Sequence, residues 1–190
     1  MPTIINIIGI SGTNGSGKDT AAHILSRQLN YQFISIGDIL RNQLINDNIE
    51  PIRKNTRKLS SKLEHQFGGS IMIDRALELF KQTSYEGMVI SSIRNIDEAK
   101  RIKKLGGKIL WVDAEISIRY QRIQDNKFRN RQDDDLTFDE FKRQENEEMT
   151  FSITNNNLNT QLVKKLADFT IINDSGLLEL EKKLAEYFSV

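Results

Sequence analysis

Residues 12–18, Gly12-Thr13-Asn14-Gly15-Ser16-Gly17-Lys18, follow the spacing G-x-x-x-x-G-K, and no other stretch constrains the fold as much. Glycines at these places let the backbone curl until successive N–H groups point at one anion. Lys18 adds a mobile point charge that can reach the β- and γ-phosphates of a nucleoside triphosphate. The spacing alone has false positives, so context decides. Upstream, residues 4–10 are an almost continuous apolar run, the pattern of a strand buried on both faces. Downstream, Ala21, Ile24, Leu25 and Leu29 recur at helical spacing. Strand, glycine turn and helix in that order aim the positive end of a helix dipole at the same anion.

The rest of the chain repeats the alternation. Residues 31–36 read as a second strand, 88–92 as a third, 108–113 as a fourth and 169–173 as a fifth. Gly37-Asp38 opens a helix with Asp38 as a candidate N-cap. Pro51 begins a polar helical stretch with Leu59, Leu63 and Phe67 on one stripe, broken by Gly68-Gly69. Ile73, Ala76, Leu77 and Phe80 mark the next helix. Ile96, Ala99, Ile102 and Leu105 mark one between the third and fourth strands. Ile116, Tyr120 and Ile123 mark a further helix, and Leu177, Leu180, Leu184 and Phe188 the last. Residues 126–135 are charged without apolar period and read as an exposed loop, as do the asparagine-rich residues 155–159. Thr137 and Glu140 have the spacing of a capping box. Strands alternating with helices predict a parallel sheet covered on both faces.

Composition narrows the function classes. The chain has 190 residues, enough for one domain with a sizeable core. It has no cysteine, which excludes disulfides, thiolate metal sites and cysteine nucleophiles, and suits a reducing compartment such as the cytoplasm. With 27 basic and 26 acidic residues the net charge is +1, so bulk charge does not predict nucleic-acid binding. No apolar run has the length of a membrane span. Met1-Pro2-Thr3 runs into the first strand without the pattern of a signal peptide.

The residues after the loop resemble a family. Lys18 is followed by Asp19 and then Thr20, and Gly-Lys-x-Thr is the form found in adenylate kinase and its relatives. One helix and one strand later, Ile34-Ser35-Ile36-Gly37-Asp38-Ile39-Leu40-Arg41 is similar to that family's I-S-T-G-D-M-L-R segment. The resemblance implies a three-layer α/β/α P-loop kinase fold with a five-stranded parallel sheet, in one domain over residues 1–190. It implies an acceptor-binding helical region over roughly 37–84 and a short lid over roughly 126–136. It also implies ATP as co-substrate with Mg²⁺, bound by Gly12, Thr13, Asn14, Gly15, Ser16, Gly17, Lys18, Asp19 and Thr20. Asp19 and Thr20 stand nearest the metal. Asp19 either holds a magnesium-bound water or favours the helix N-terminus electrostatically.

On the acceptor side, the resemblance gives Arg41 and Arg94 to the phosphate of an acceptor nucleotide, with Ser35, Asp38 and Arg57 beside them. Arg57 lies in a basic stretch with Arg53, Lys54, Lys58 and Lys62 that otherwise reads as a solvated helix face. Arg122 and Arg131 are the expected lid arginines, clustered with Arg119 and Arg129, which neutralise charge on the transferring phosphoryl group. Asn173 matches a turn that packs on adenine in similar kinases. Two positions depart from the family. Ile36 replaces a Thr, and Ser91 stands where an Asp helps hold magnesium, which either weakens the metal site or hands that task to Asp19 or Asp38. Dephospho-coenzyme A kinases, which share the fold, carry an Asp after the second strand as base for an acceptor hydroxyl, and Asp38 matches it.

Three readings therefore stand: a kinase of nucleoside or deoxynucleoside monophosphates, a dephospho-coenzyme A kinase, and a P-loop ATPase or switch without a small acceptor. The expected partner is a small nucleotide, with no nucleic acid or membrane, and the expected assembly a monomer or weak homodimer. The acids at 133–135 read as a metal site or, more simply, as a solvated loop. His23 and His65 read as structural, and Trp111 as core.

Overall fold

The apolar runs lie side by side as one sheet. The computed structural model describes residues 6–125, 136–150 and 160–188. In chain order the elements are β1 (Asn6–Gly12), α1 (Lys18–Leu29), β2 (Gln32–Ser35), α2 (Ile36–Asn46), α3 (Arg53–Phe67), α4 (Ile71–Phe80) and β3 (Gly87–Ser91). There follow α5 (Ile96–Lys104), β4 (Lys108–Asp113), α6 (Ile116–Asp125), α7 (Phe138–Thr150), α8 (Thr160–Lys165), β5 (Phe169–Ile172) and α9 (Leu177–Phe188). The strands run in the order β2-β3-β1-β4-β5, all parallel.

Alternation along the strands splits the core in two. Ile7, Met88, Ile90 and Ile109 face α4 and α5, where Met72, Ile73, Ala76, Ala99 and Ile102 are buried. Ile8, Ile10, Val89, Leu110 and Val112 face α1 and α9, against Ala21, Ala22, Ile24, Leu25, Leu180 and Leu184. Strands covered on both sides need unbroken apolar runs, which is why those runs predicted the sheet. Each such side chain contributes about 1.5–3 kcal/mol by leaving water. Trp111 is fully buried in β4, as expected of core.

Two details differ from the sequence pattern. The cap of α2 is Ser35, whose Oγ accepts from the backbone N–H of Asp38 at 3.2 Å. Asp38 therefore lies in the first turn and is not the N-cap, because the helix starts three residues earlier than that cap would set it. The short α8 has too few turns to show an apolar period, yet it buries Val163. The histidines are both exposed, with His23 stacked 4.1 Å from Phe33. The capping box of α7 is present: Thr137 N donates to Glu140 Oε2 at 2.8 Å, and Glu140 N donates to Thr137 Oγ1 at 3.3 Å.

Register sets up the site. Ser35 aligns with Ser91, and Ser91 aligns with Ile10. The start of α2, the end of β3 and the start of the glycine turn therefore share one edge of the sheet. Neighbouring strands lie about 4.8 Å apart, so β2 and β1 are separated by about 10 Å at that edge. The crevice beyond the carboxyl ends of parallel strands, where strand order reverses, is where such sheets bind ligands.

Candidate active site

The phosphate loop leaves β1 at Gly12 and enters α1 at Lys18. Gly15 and Gly17 have φ of 78° and 88°, the left-handed region that glycine occupies without strain. A side chain would not fit either. A Cβ on Gly15 would lie 2.6 Å from the carbonyl oxygen of Arg119, and one on Gly17 2.6 Å from Asn173 Nδ2. Ser16 is fully buried and its Oγ has no hydrogen-bond partner among the described residues. Lys18 is 6 % exposed, Asp19 is half-buried in the first turn of α1, and Thr20 is exposed.

Side chains from the far half of the chain hold this loop. Thr13 Oγ1 donates to Asp113 Oδ1 at 2.8 Å. Arg119 Nη1 donates to the carbonyl of Asn14 at 3.1 Å. Asn173 Nδ2 donates to the carbonyl of Ser16 at 2.8 Å. Asp113 also accepts from Trp111 Nε1 and Lys164 Nζ. Burial pushes its carboxyl up, but these bonds and the Lys164 charge outweigh burial, and the net shift is downward. Asp113 thus stays ionised at neutral pH. It was not among the residues expected at the site. The available signal was an acid ending the apolar run Lys108–Asp113 at the ligand-binding edge.

The residues expected on an acceptor side lie on α2 and in the turn after β3, with Arg57 on α3. Arg41 folds back over Gly37 so that Nε donates to Asp38 Oδ1 at 3.2 Å, and Nη2 donates to the same oxygen. Ser92 is a non-glycine residue at φ 70°. Such a backbone costs on the order of 1–3 kcal/mol, and strain of this kind gathers at functional sites. Here the turn is tied over the end of β1. Ile93 N donates to Ile10 O at 3.1 Å and Ser11 Oγ donates to Ile93 O at 2.6 Å. Arg94 follows, half-buried, with its backbone N–H donating to Glu98 Oε2 at 3.0 Å. Ser91 is fully buried, and its Oγ has no hydrogen-bond partner among the described residues. Arg57 is exposed on α3. Its neighbour Arg53 reaches α7 instead, with Nη1 3.3 Å from Gln144 Oε1.

Glu98 lies under this turn. It completes the capping box of α5 with Asn95 and is 3 % exposed. Burial pushes its carboxyl up to about 7, against hydrogen bonds from the N–H groups of Arg94 and Asn95. Burial also raises Glu64 on α3, whose charge adds to the rise of Glu98.

The expected lid arginines divide. Arg119 is 6 % exposed and fully engaged: Nε donates to Ala114 O at 2.8 Å, and Nη1 pairs with the buried Glu145 of α7 as well as with Asn14. In this arrangement it braces the loop. Arg122, three residues on, points to the turn after β5, where Nη2 donates to Ser175 O at 3.1 Å. Its Nη1 is sealed from solvent and has no hydrogen-bond partner among the described residues. Arg129, Arg131, residues 133–135 and all but the last residue of the 126–136 lid lie outside the described residues.

The groups that would hold ATP and magnesium fit in part. The glycine cradle and the unpartnered Ser16 hydroxyl suit a polyphosphate. Among the described residues no group of three or more acidic or histidine side chains converges on a metal position. Asp19, Thr20 and the Ser91 hydroxyl supply oxygens only, the chemistry of a hard cation held mostly by phosphate and water.

Residues 8–151 match the family model described as AAA domain. The chain belongs to that family. A UPF0200 protein of Hyperthermus butylicus is 27 % identical over 184 residues, spanning 96 % of this chain and 93 % of its own length. A UPF0200 protein of Pyrobaculum aerophilum is 28 % identical over 186 residues, spanning 96 % and 97 %. Among solved structures, TT1252 from Thermus thermophilus superposes with a TM-score of 0.63 at 20 % identity, covering 97 % of each chain. A shikimate kinase from Acinetobacter baumannii, in complex with shikimate, gives 0.59 at 14 % identity, covering 98 % of this chain and 94 % of that one. These likenesses fix the three-layer α/β/α P-loop kinase fold. They reach P-loop kinases in general and do not single out adenylate kinases. Among the described residues no helix is long and apolar enough to cross a membrane.

Proposed function

We infer that this chain transfers the γ-phosphoryl group of ATP to a small nucleotide-type acceptor, most simply a nucleoside or deoxynucleoside monophosphate. The observation carrying this reading is the register that sets Ser35, Ser91 and Ile10 in one row. It brings the phosphate loop and the Asp38–Arg41 pair to the same edge. The gap of about 10 Å between β1 and β2 suits two phosphate groups meeting end to end. ATP would lie along residues 12–20, with Lys18 on its β- and γ-phosphates. Magnesium, held through phosphate, water, Asp19 and Thr20, would supply charge neutralisation. Arg41 and Arg94 would hold the acceptor phosphate, and Arg122 and Arg131 would bear on the transferring group. The acceptor oxygen bonds to Pγ, the bond from Pγ to the bridging oxygen breaks, and ADP leaves. Positioning and electrostatics supply the catalysis, since this chemistry needs little covalent help.

One observation favours a second reading. Asp38 is fixed by two hydrogen bonds from Arg41 at the mouth of the crevice, the posture of an oriented base. A hydroxyl acceptor, as in a dephospho-coenzyme A kinase, would give its proton to Asp38. A phosphate anion has no such proton to lose. Purified protein with ATP and magnesium against nucleoside monophosphates, deoxynucleotides and dephospho-coenzyme A, with products identified by mass, tests both. Asp38→Asn should abolish transfer to a hydroxyl and only weaken transfer to a phosphate. Transfer to none of the acceptors sinks the kinase reading, and steady release of phosphate without any acceptor would indicate an ATPase or switch.

A further inference from the structure

The peptide bond between Ser16 and Gly17 is held from outside the loop. Asn173 Nδ2 donates to the Ser16 carbonyl at 2.8 Å, and the bond is buried. Asn173 itself is 7 % exposed and does not drift, because its backbone N–H donates to Asp113 O at 2.7 Å, fixing it to the end of β4. A trans peptide is planar, and its C=O and N–H point in opposite directions. Holding the Ser16 carbonyl toward β5 therefore turns the Gly17 N–H away from β5. Gly17 caps α1 at φ 88°, a region open to glycine, and its own carbonyl accepts from Ala21 N at 2.9 Å. The side-chain bond from Asn173 adds the hold on the Ser16 carbonyl itself. A Cβ on Gly17 would meet the same Nδ2 at 2.6 Å, so the side chain and the glycine fit as a pair.

We propose that Asn173 is a positioning residue for phosphate: by holding the Ser16 carbonyl it aims the Gly17 N–H at the bound polyphosphate. It acts through the loop and not through the base of the nucleotide. The inference rests on the phosphate-loop part of the function inferred above and needs no acceptor. Arg119 does the corresponding work one peptide pair earlier, where its bond to the Asn14 carbonyl turns the Gly15 N–H. The two glycine amides thus have separate guides, which lets them be tested separately.

Inorganic pyrophosphate is the probe, because it has no base. Its binding to the full chain would be measured by calorimetry, and the Gly15 and Gly17 amides followed by ¹⁵N NMR, in wild type, Asn173→Ala and Asn173→Asp. Asn173→Ala carries no charge, so any loss there is not repulsion of the anion. Losing one N–H to an anion predicts affinity about ten-fold or more weaker. The Gly17 amide should lose its response to pyrophosphate while the Gly15 amide keeps its own, with Tm recorded to exclude unfolding. Unchanged affinity in Asn173→Ala, or a Gly17 response equal to wild type, overturns the proposal. Equal weakening of the Gly15 and Gly17 responses overturns it as well, since that is a general loosening of the loop. If wild type itself fails to bind pyrophosphate, the phosphate-loop reading falls, an outcome distinct from a loop that binds regardless of Asn173.

Discussion

Replacing Glu98 by Gln should stabilise the protein at pH 8 and do so much less at pH 5. Glu98 is 3 % exposed, and burial pushes its carboxyl from 4.5 up to about 7. In the unfolded chain the group returns to about 4.3. Between those values the folded state keeps a proton that the unfolded state gives up. Stability therefore falls as pH rises through this window and levels off above it. At about 1.4 kcal/mol per pH unit, the rise from 4.5 to about 7 carries about 3 kcal/mol. Gln keeps the shape, and its amide oxygen can accept the N–H groups of Arg94 and Asn95 that Glu98 Oε2 accepts at 3.0 and 3.1 Å. It cannot ionise. Glu64 is also raised by burial, and its slope is present in both proteins, so most of it cancels in the comparison. Urea unfolding at pH 5 and pH 8 checks the prediction, with the gap between variant and wild type widening from about 1 to about 3 kcal/mol. A gap that is the same at both pH values would refute the reasoning, as would a variant less stable at pH 8.

Three further outcomes follow from the site. Lys18→Ala should remove ATP-dependent transfer while leaving the circular dichroism spectrum intact; full activity in that variant would refute the loop assignment. Gly12→Ala places a Cβ 2.0 Å from the Val112 carbonyl oxygen. It should spread β1 from β4, lower Tm by several degrees and weaken nucleotide binding, which thermal shift with and without ADP would report. Glu145→Ala strands the buried Arg119 guanidinium, a change that typically costs about 3–5 kcal/mol and that chemical denaturation would measure.

The sheet was legible because its strands are buried on both faces. The runs 88–92 and 108–113 are apolar for that reason, and the observed strands Gly87–Ser91 and Lys108–Asp113 differ from them by a residue at most. Helix starts were less so. Ser35 and Asp38 are both good caps by residue type, and only the backbone shows that Ser35 takes the role. Ser35, Asp38 and Arg41 could be proposed together because they belong to one local segment, 34–41, whose members are neighbours in sequence. Arg57 and Arg53 could not be separated in this way, because which face of α3 meets α7 depends on packing.

By itself the sequence determined that residues 6–29 form a strand, a glycine cradle and a helix, and that this unit sits in a parallel sheet. Glycine spacing and apolar period are local properties, and local properties survive in a string of letters. Tertiary structure alone decided what holds the cradle. Thr13 is tied to Asp113, Asn14 to Arg119 and Ser16 to Asn173, across 100, 105 and 157 residues. No periodicity links positions so far apart. They meet because β4 and β5 continue the sheet on one side of β1, which lays their carboxyl ends beside the loop. The same sheet order places β3 and β2 on the other side, so that one edge carries the braces of the phosphate loop at one end and Arg41 and Arg94 at the other.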